Sequence, residues 1–428
     1  MMPASPSILL LKEHECVELE GKHDALAVLL SCDDYDSDDC TRLLGIDWAN
    51  RGRTKVCASY YIGSKWIKEG ESAVTVRPKI DNLDVTGMFM KCFSSGDGAV
   101  RKALSSIYSI DFTGRPIACE GVADELTPML VAHFVLLLDA LIGRGVMRNY
   151  TYVTENLKSK IKGKILIAPT VNRNYASGRT DRTYCRYMEL STDCVENRIL
   201  NTALEFCRRF LLRHNHRGSF RAVIERAARC KAALVGVGFV DPDMAFGRIK
   251  VTPMYSYYGD VLEVARCIFR RFGNDLSGAG RNKALSVPPY HIDMPLLYEI
   301  YVYSLLKEAY GEKIKYHVST YGNELDFVKT DERLIIDTKY IPGWADRTMH
   351  DNVRQLSGYA RHRVLRKRIL STDDDESTVL DCVIVYPSKT GMRHFQGDCA
   401  LLATANRIKE YVRFHYFGIK LPVREPDC

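Results

Sequence analysis

Hydrophobic and polar positions change rhythm three times along the chain. Up to about residue 120, short apolar runs alternate with turn-forming residues. "TKVCASYYIGSKW" and "SAVTVRPKI" carry the clearest period-two alternation of strands. Next comes "MLVAHFVLLLDALIG" (129–143), interrupted only by His133 and Asp139 and opened by Thr127-Pro128. It is too short to span a bilayer and predicts a buried helix. A helical period follows in "STDCVENRILNTALEFCRRFLLRHNH", with a cap near Ser191–Asp193 and an apolar stripe of Ile199, Leu200, Ala203, Leu204 and Leu211. More helix is predicted to about residue 272. There "FGNDLSGAGRNKALSVPPYH" (272–291), rich in Gly, Pro and Ser, marks a boundary.

The third rhythm begins with "DMPLLYEIYVYSLLKEAYG", a helix capped near Asp293 and stopped by Gly311. Two short strands, "LDFV" and "LIIDTKY", flank the turn-rich "KTDER". A helix over 347–368, the polar loop "STDDDEST" and the strands "VLDCVIVYP" and "YVRFHYFGIKLP" close the chain. The pattern predicts a multidomain α+β and α/β protein. Its parts are a β-rich N-terminal domain (1–125), a mainly helical middle region (126–285) and a compact α/β domain (286–428).

Composition narrows this picture only modestly. A length of 428 residues allows two or three domains, and 46% hydrophobic with 26% charged residues is ordinary for a folded chain. The net charge of +7 is compatible with an anionic partner without requiring one. Fourteen cysteines without a C-x-x-C pair exclude zinc-ribbon and iron–sulfur spacings. They read as buried thiols in a reducing compartment. The N-terminus has no basic stretch before its four-residue apolar run, so a cytoplasmic protein without membrane attachment is expected. "CDDYDSDDC" (32–40) has calcium-loop spacing at Asp34, Asp36 and Asp38. Asp39 and Gly45 stand where such a loop needs Gly and Glu, so it reads as a solvated acidic loop. Lysines and arginines interleave with Tyr150, Tyr152, Tyr175, Tyr184 and Tyr187 between Arg144 and Arg186. This mixture suits phosphate-backbone contact, an acidic protein partner or a solvated face equally well.

The most informative stretch is "NELDFVKTDERLIIDTKYIP" (323–342), where an apolar strand runs into Asp337 and Lys339. Strand alternation puts these two side chains on one face. Pairing Asp326 with Asp337 across a hairpin centres the turn between Asp331 and Glu332, where the polar residues cluster. Two adjacent carboxylates repel unless a cation or proton intervenes. Hard oxygen donors suit Mg²⁺, with Mn²⁺ also accommodated. Lys339 would orient or deprotonate a water and offset charge on a phosphate. Together these parts form the D-x(10)-D-x-K core of the PD-(D/E)xK nuclease pattern. Glu299 on the preceding helix is a further candidate acid and metal ligand. Gln355 and Tyr359, one helical turn apart, form a Q-x-x-x-Y element. Arg354, Arg361, Arg363, Arg366, Lys367 and Arg368 provide a candidate DNA-backbone surface.

Beyond this core the chain resembles the McrC family, the nuclease subunits of McrBC-type and LlaJI-like 5-methylcytosine restriction systems. The resemblance covers roughly residues 70 to 420. It is carried by "VTVRPKI" (74–80), "LIGRGVMRNYTYVTENLKSKIKGKILI", "CRYMELSTDCVENRILNTAL", "MPLLYEIYVYSLL" and the nuclease core. Two positions depart from the family: Glu324-Leu325-Asp326 replaces the usual proline before the first Asp, and Thr338 stands where the family has Ala, at a position expected to point away from the metal. The resemblance implies a C-terminal restriction-endonuclease-like fold in which Asp326 and Asp337 bind Mg²⁺ and Lys339 assists the attacking water. Glu299 would be accessory, and Gln355 and Tyr359 would order the site and the DNA. It also implies docking on an AAA+ GTPase, McrB, through the N-terminal half. The chain has no G-x-x-x-x-G-K-[ST] phosphate loop of its own. The other readings are a stand-alone RecB-like repair nuclease and a non-catalytic DNA-binding regulator of the GTPase.

Overall fold

A computed structural model describes residues 6–18, 43–51, 53–94, 106–111, 114–118, 126–215, 220–241, 246–249, 253–276, 286–320, 323–344, 349–370 and 379–424, with isolated positions between. The acidic segment 32–40 and the loop 371–378 lie outside the described residues, as do much of the boundary segment and the side chain of Arg368. Two compact units form: residues 1–129 with 281–428, and residues 130–280. Residues from the two ends of the chain share one unit.

In the first unit, β1 (Ser7–Lys12), β2 (Tyr61–Lys68), β3 (Ser72–Arg77) and β4 (Tyr108–Ile110) belong to one five-stranded sheet. β1 runs parallel to β3, and β2 antiparallel to it. Helix α1 (Val85–Ser94) was not apparent from the strand-like patterning of this region. Cys16 and Cys57 are direct cross-strand partners and are joined in a disulfide, a departure from the all-thiol expectation. Among the other described cysteines Cys92, Cys185, Cys194, Cys207, Cys230 and Cys382 are buried and in no disulfide.

Helix α2 (Leu126–Arg144) is long and apolar enough to cross a membrane, but two thirds of its apolar window is packed inside the protein. The second unit continues with the antiparallel pair β5 (Asn149–Lys158) and β6 (Arg182–Ser191), which carry much of the basic segment. Helices α3 (Val195–His214), α4 (Arg221–Ala233) and α5 (Tyr258–Leu276) follow. The predicted stripe of Ile199, Leu200, Ala203, Leu204 and Leu211 is fully buried along α3.

The chain then returns to the first unit. There β7 (Tyr290–Asp293) inserts between β2 and β4 of the N-terminal sheet. Its partner in register with His291 is Gly63, at φ +143°, where a Cβ would overlap the Tyr290 carbonyl oxygen. Only glycine combines that conformation with so close an approach. Asp293 ends β7 and caps α6 (Met294–Tyr310), accepting the Leu296 N–H at 2.9 Å, and Gly311 closes the helix with φ +59°.

Strands β8 (Ile314–Thr320), β9 (Asn323–Lys329), β10 (Leu334–Thr338), β11 (Asp381–Met392), β12 (Asn406–Arg407) and β13 (Phe414–Ile419) make a six-stranded mixed sheet in the order β8-β9-β10-β11-β13-β12. β8, β9 and β10 are successively antiparallel, whereas β10, β11 and β13 are parallel. Helices α7 (Met349–Arg361) and α8 (Arg363–Leu370) lie between β10 and β11 in sequence. Ile335, Val353, Leu356, Leu365, Cys382 and Ile384 join one buried core. Substituting Gly63→Ala should therefore lower stability by at least about 2 kcal/mol, since backbone strain and overlap act together. A denaturant midpoint unchanged from the parent would disprove this account of β7.

Candidate functional site

The hairpin register is the one expected from the polar turn. Phe327 faces Ile336, Val328 faces Ile335 and Lys329 faces Leu334, so the next step places Asp326 opposite Asp337. Thr330 to Arg333 form the turn, with Arg333 at φ +54°. β10 is buried from Leu334 through Asp337 because the α7 and α8 core covers one face and neighbouring strands flank both edges. An apolar strand with both sides occupied thus delivers Asp337, only 5% exposed, into the interior.

The electrostatics follow from this placement. Burial, then Asp337, then Glu299 push the Asp326 carboxyl up to about 7, against two hydrogen bonds that favour its ionised form. Those bonds come from the Thr338 N–H at 2.7 Å and the Thr338 hydroxyl at 2.6 Å, both to Asp326 Oδ2. Thr338 does not point away from the acids as expected. The β9–β10 pairing ends before Asp326, which frees the Thr338 backbone N–H and hydroxyl for the carboxylate. Asp337 is also raised by burial, with Lys339 opposing the rise. Its Oδ2 lies 2.8 Å from Lys339 Nζ, close enough for an ion pair but without the alignment of a hydrogen bond.

Lys339 Nζ also donates to Gln355 Oε1 at 3.3 Å, and Gln355 Nε2 donates to the Tyr359 hydroxyl at 3.2 Å. Asp337, Lys339, Gln355 and Tyr359 therefore form one chain of polar contacts from β10 to α7. Glu299 lies on α6 within electrostatic reach of both aspartates. Its own Oε1 is 2.7 Å from His317 Nε2. His317 has φ +49° and occupies the β8 position opposite Asp326. Nothing in the sequence spacing singled out His317 or Thr338. Among the described residues no three His, Cys, Asp or Glu side chains gather as a ready ligand set. Asp326 and Asp337 are the oxygen donors that face each other, and Glu299 is not drawn in with them. Their mutual destabilisation is what a divalent cation would relieve, and Mg²⁺ needs only one or two carboxylates when water and phosphate complete its shell.

The basic residues divide differently from the expectation of one helical face. The helix expected over 347–368 breaks at His362, whose Nδ1 accepts the Leu365 N–H at 3.4 Å. Arg354, Arg361, Arg363 and Lys367 are exposed. Arg366 is only 8% exposed and donates to the Ala360 carbonyl at 3.3 Å, closing the end of α7 from inside. It is therefore not part of an exposed cationic surface. In the other unit, Tyr150 and Tyr152 are exposed, and the Arg186 guanidinium lies 4.3 Å from the Tyr152 ring centre.

Facing aspartates, an ion-paired lysine and a Gln–Tyr pair on the covering helix define a charged site suited to a divalent cation and an anionic substrate. Residues 56–356 match the family described as McrBC 5-methylcytosine restriction system component, and the chain belongs to that family. Two solved structures from Thermococcus gammatolerans are similar. One is a refined half-complex from a tetradecameric assembly of McrB AAA+ hexamers with bound McrC, 16% identical, with 97% of this chain and 94% of that chain covered and a TM-score of 0.37. The other is a cryo-EM structure of the McrBC complex, 16% identical, with 74% and 89% covered and a TM-score of 0.32. Comparison with curated proteins gave no match.

The raised Asp326 carboxyl has a measurable consequence. Its folded value lies above the ordinary 3.8, so its contribution to stability is full below about 4 and is lost as pH rises toward about 7. Asp326→Asn removes this loss and keeps an acceptor for Thr338. In metal-free buffer the variant should melt several degrees above the parent at pH 8, with the gap closing near pH 4. Equal melting curves at both pH values would contradict the assignment of a strained acid pair.

Proposed function

We propose that this chain is the Mg²⁺-dependent DNA endonuclease subunit of a McrBC-type restriction complex, with its C-terminal segment a PD-(D/E)xK nuclease domain. The facing pair Asp326 and Asp337, with Lys339 bound to the second acid, is the observation that carries this reading. Family membership supplies the restriction-system setting. Asp326 and Asp337 would hold the ion, with Glu299 as an accessory acid, and Mn²⁺ is compatible with the same oxygen donors. When bound, Mg²⁺ would polarise a phosphate oxygen and activate water.

The protein's own groups would prepare the rest. Thr338 fixes one oxygen of Asp326, leaving the other for a different partner. Lys339 is held between Asp337 and Gln355, so its positive charge has a defined position against a developing phosphate charge. Tyr359 restrains Gln355 from the next helical turn. Exposed Arg354, Arg361, Arg363 and Lys367 would contact the DNA backbone, where cationic side chains contribute affinity without reading sequence. A cytoplasmic AAA+ GTPase of the McrB type would supply motor action and recognition, as the similar archaeal assembly contains McrB hexamers with bound McrC.

Plasmid cleavage with Mg²⁺, a McrB-type AAA+ partner and GTP tests the reading. Asp337→Ala should reduce cleavage at least about 100-fold while leaving stimulation of GTP hydrolysis intact. Partner-independent cleavage would instead indicate a stand-alone nuclease. If the wild type fails to cleave yet stimulates GTP hydrolysis, the chain is a regulator.

A further inference from the structure

A second buried polar cluster lies beside the strand end that carries Lys339. Glu13 follows β1 and is only 3% exposed. Its Oε2 accepts the Lys79 N–H at 2.9 Å and lies 3.2 Å from the Tyr340 hydroxyl, which donates to it. The Lys79 ammonium donates to the Tyr340 carbonyl oxygen at 2.6 Å and sits 3.9 Å from the centre of the Tyr340 ring. Tyr340 is buried at 6% exposure and packs on Tyr298 of α6, with ring centres 5.5 Å apart. Its carbonyl, ring and hydroxyl are therefore each engaged by residues more than two hundred positions away in sequence.

Tyr340 is the residue after Lys339. The Lys339 N–H donates to Val385 at 2.9 Å, and the Ile341 N–H donates back to the Lys339 carbonyl at 2.7 Å, so the chain turns sharply at Tyr340 as it leaves β10. A turn of this kind has few internal restraints, and its direction sets where the lysine side chain begins. Of the restraints on that direction, the Val385 bond comes from within the sheet, whereas Glu13 and Lys79 act from the N-terminal segment. Burial pushes the Glu13 carboxyl up to about 7 and lowers the Lys79 ammonium, so neither charge is there for solubility.

We infer that Glu13 and Lys79 are positioning residues for the reaction: they clamp Tyr340 by its carbonyl and hydroxyl and thereby fix Lys339 against Asp337 and Gln355. This rests on the nuclease reading of the Asp326–Asp337 site. Neither residue touches the reacting groups. Their effect passes through one peptide unit, where a displacement near 1 Å costs roughly 100-fold in rate.

The test is Mg²⁺-dependent plasmid cleavage in the full complex with the AAA+ partner and GTP, comparing wild type, Asp337→Ala, Lys79→Met and the double variant Glu13→Gln/Lys79→Met. The double variant removes the carboxylate that Lys79→Met would leave without its cation, so the fold is preserved even where the single variant is unstable. Both should lower kcat about tenfold or more, with DNA KM, the Mg²⁺ concentration for half-maximal rate and stimulation of GTP hydrolysis unchanged. Wild-type kcat in the double variant overturns the clamp. So does a loss carried by KM, by Mg²⁺ affinity or by GTPase stimulation, which marks a purely structural role. Cleavage by Asp337→Ala at the wild-type rate overturns the nuclease reading instead.

Discussion

The repulsion between Asp326 and Asp337 is the constraint around which the first unit is arranged. Adjacent antiparallel strands bring the two carboxylates within electrostatic reach of each other, and burial removes much of the water that would screen them. The surroundings answer only in part. Thr338 donates twice to Asp326, and Lys339 offsets Asp337, yet both acids remain above their ordinary range. A sequence selected for stability alone would place apolar residues here, as it does at Leu334, Ile335 and Ile336. The residual conflict is a local cost to stability that the neighbouring groups do not remove.

Much of this was legible before any coordinates. Local chemistry set the hairpin: a polar turn between two apolar runs admits one register that buries both runs, and that register places the acids opposite each other. Asp293 and Gly311 bounded α6 by capping rules that depend only on neighbouring residues. The misses share a different cause. β7 pairs with strands more than 170 residues earlier, and nothing within Tyr290–Asp293 announces its partners. Thr338 turns to Asp326 because the β9–β10 ladder ends at Ile336, two residues before it. Arg366 turns inward because the helix breaks at His362 and exposes a carbonyl that needs a donor. Each depends on where an element stops, which sequence periodicity resolves least well.

The long-range pairings also explain how the site is carried. β7 locks α6 to the N-terminal sheet through Asp293, and α6 brings Glu299 within electrostatic reach of the acids and packs Tyr298 on Tyr340. Glu13 and Lys79 reach the same Tyr340 from β1 and the end of β3. Two routes thus run from the N-terminal sheet to the strand end that holds Lys339, one through a helix and one through buried hydrogen bonds. Residues 286–428 include the acids, the lysine and the Gln–Tyr pair. Without the N-terminal sheet, however, β7 has neither of its neighbours and Tyr340 loses its carbonyl and hydroxyl partners. The acids, the lysine and the Gln–Tyr pair are local in sequence, but the contacts that hold them in place come from both ends of the chain.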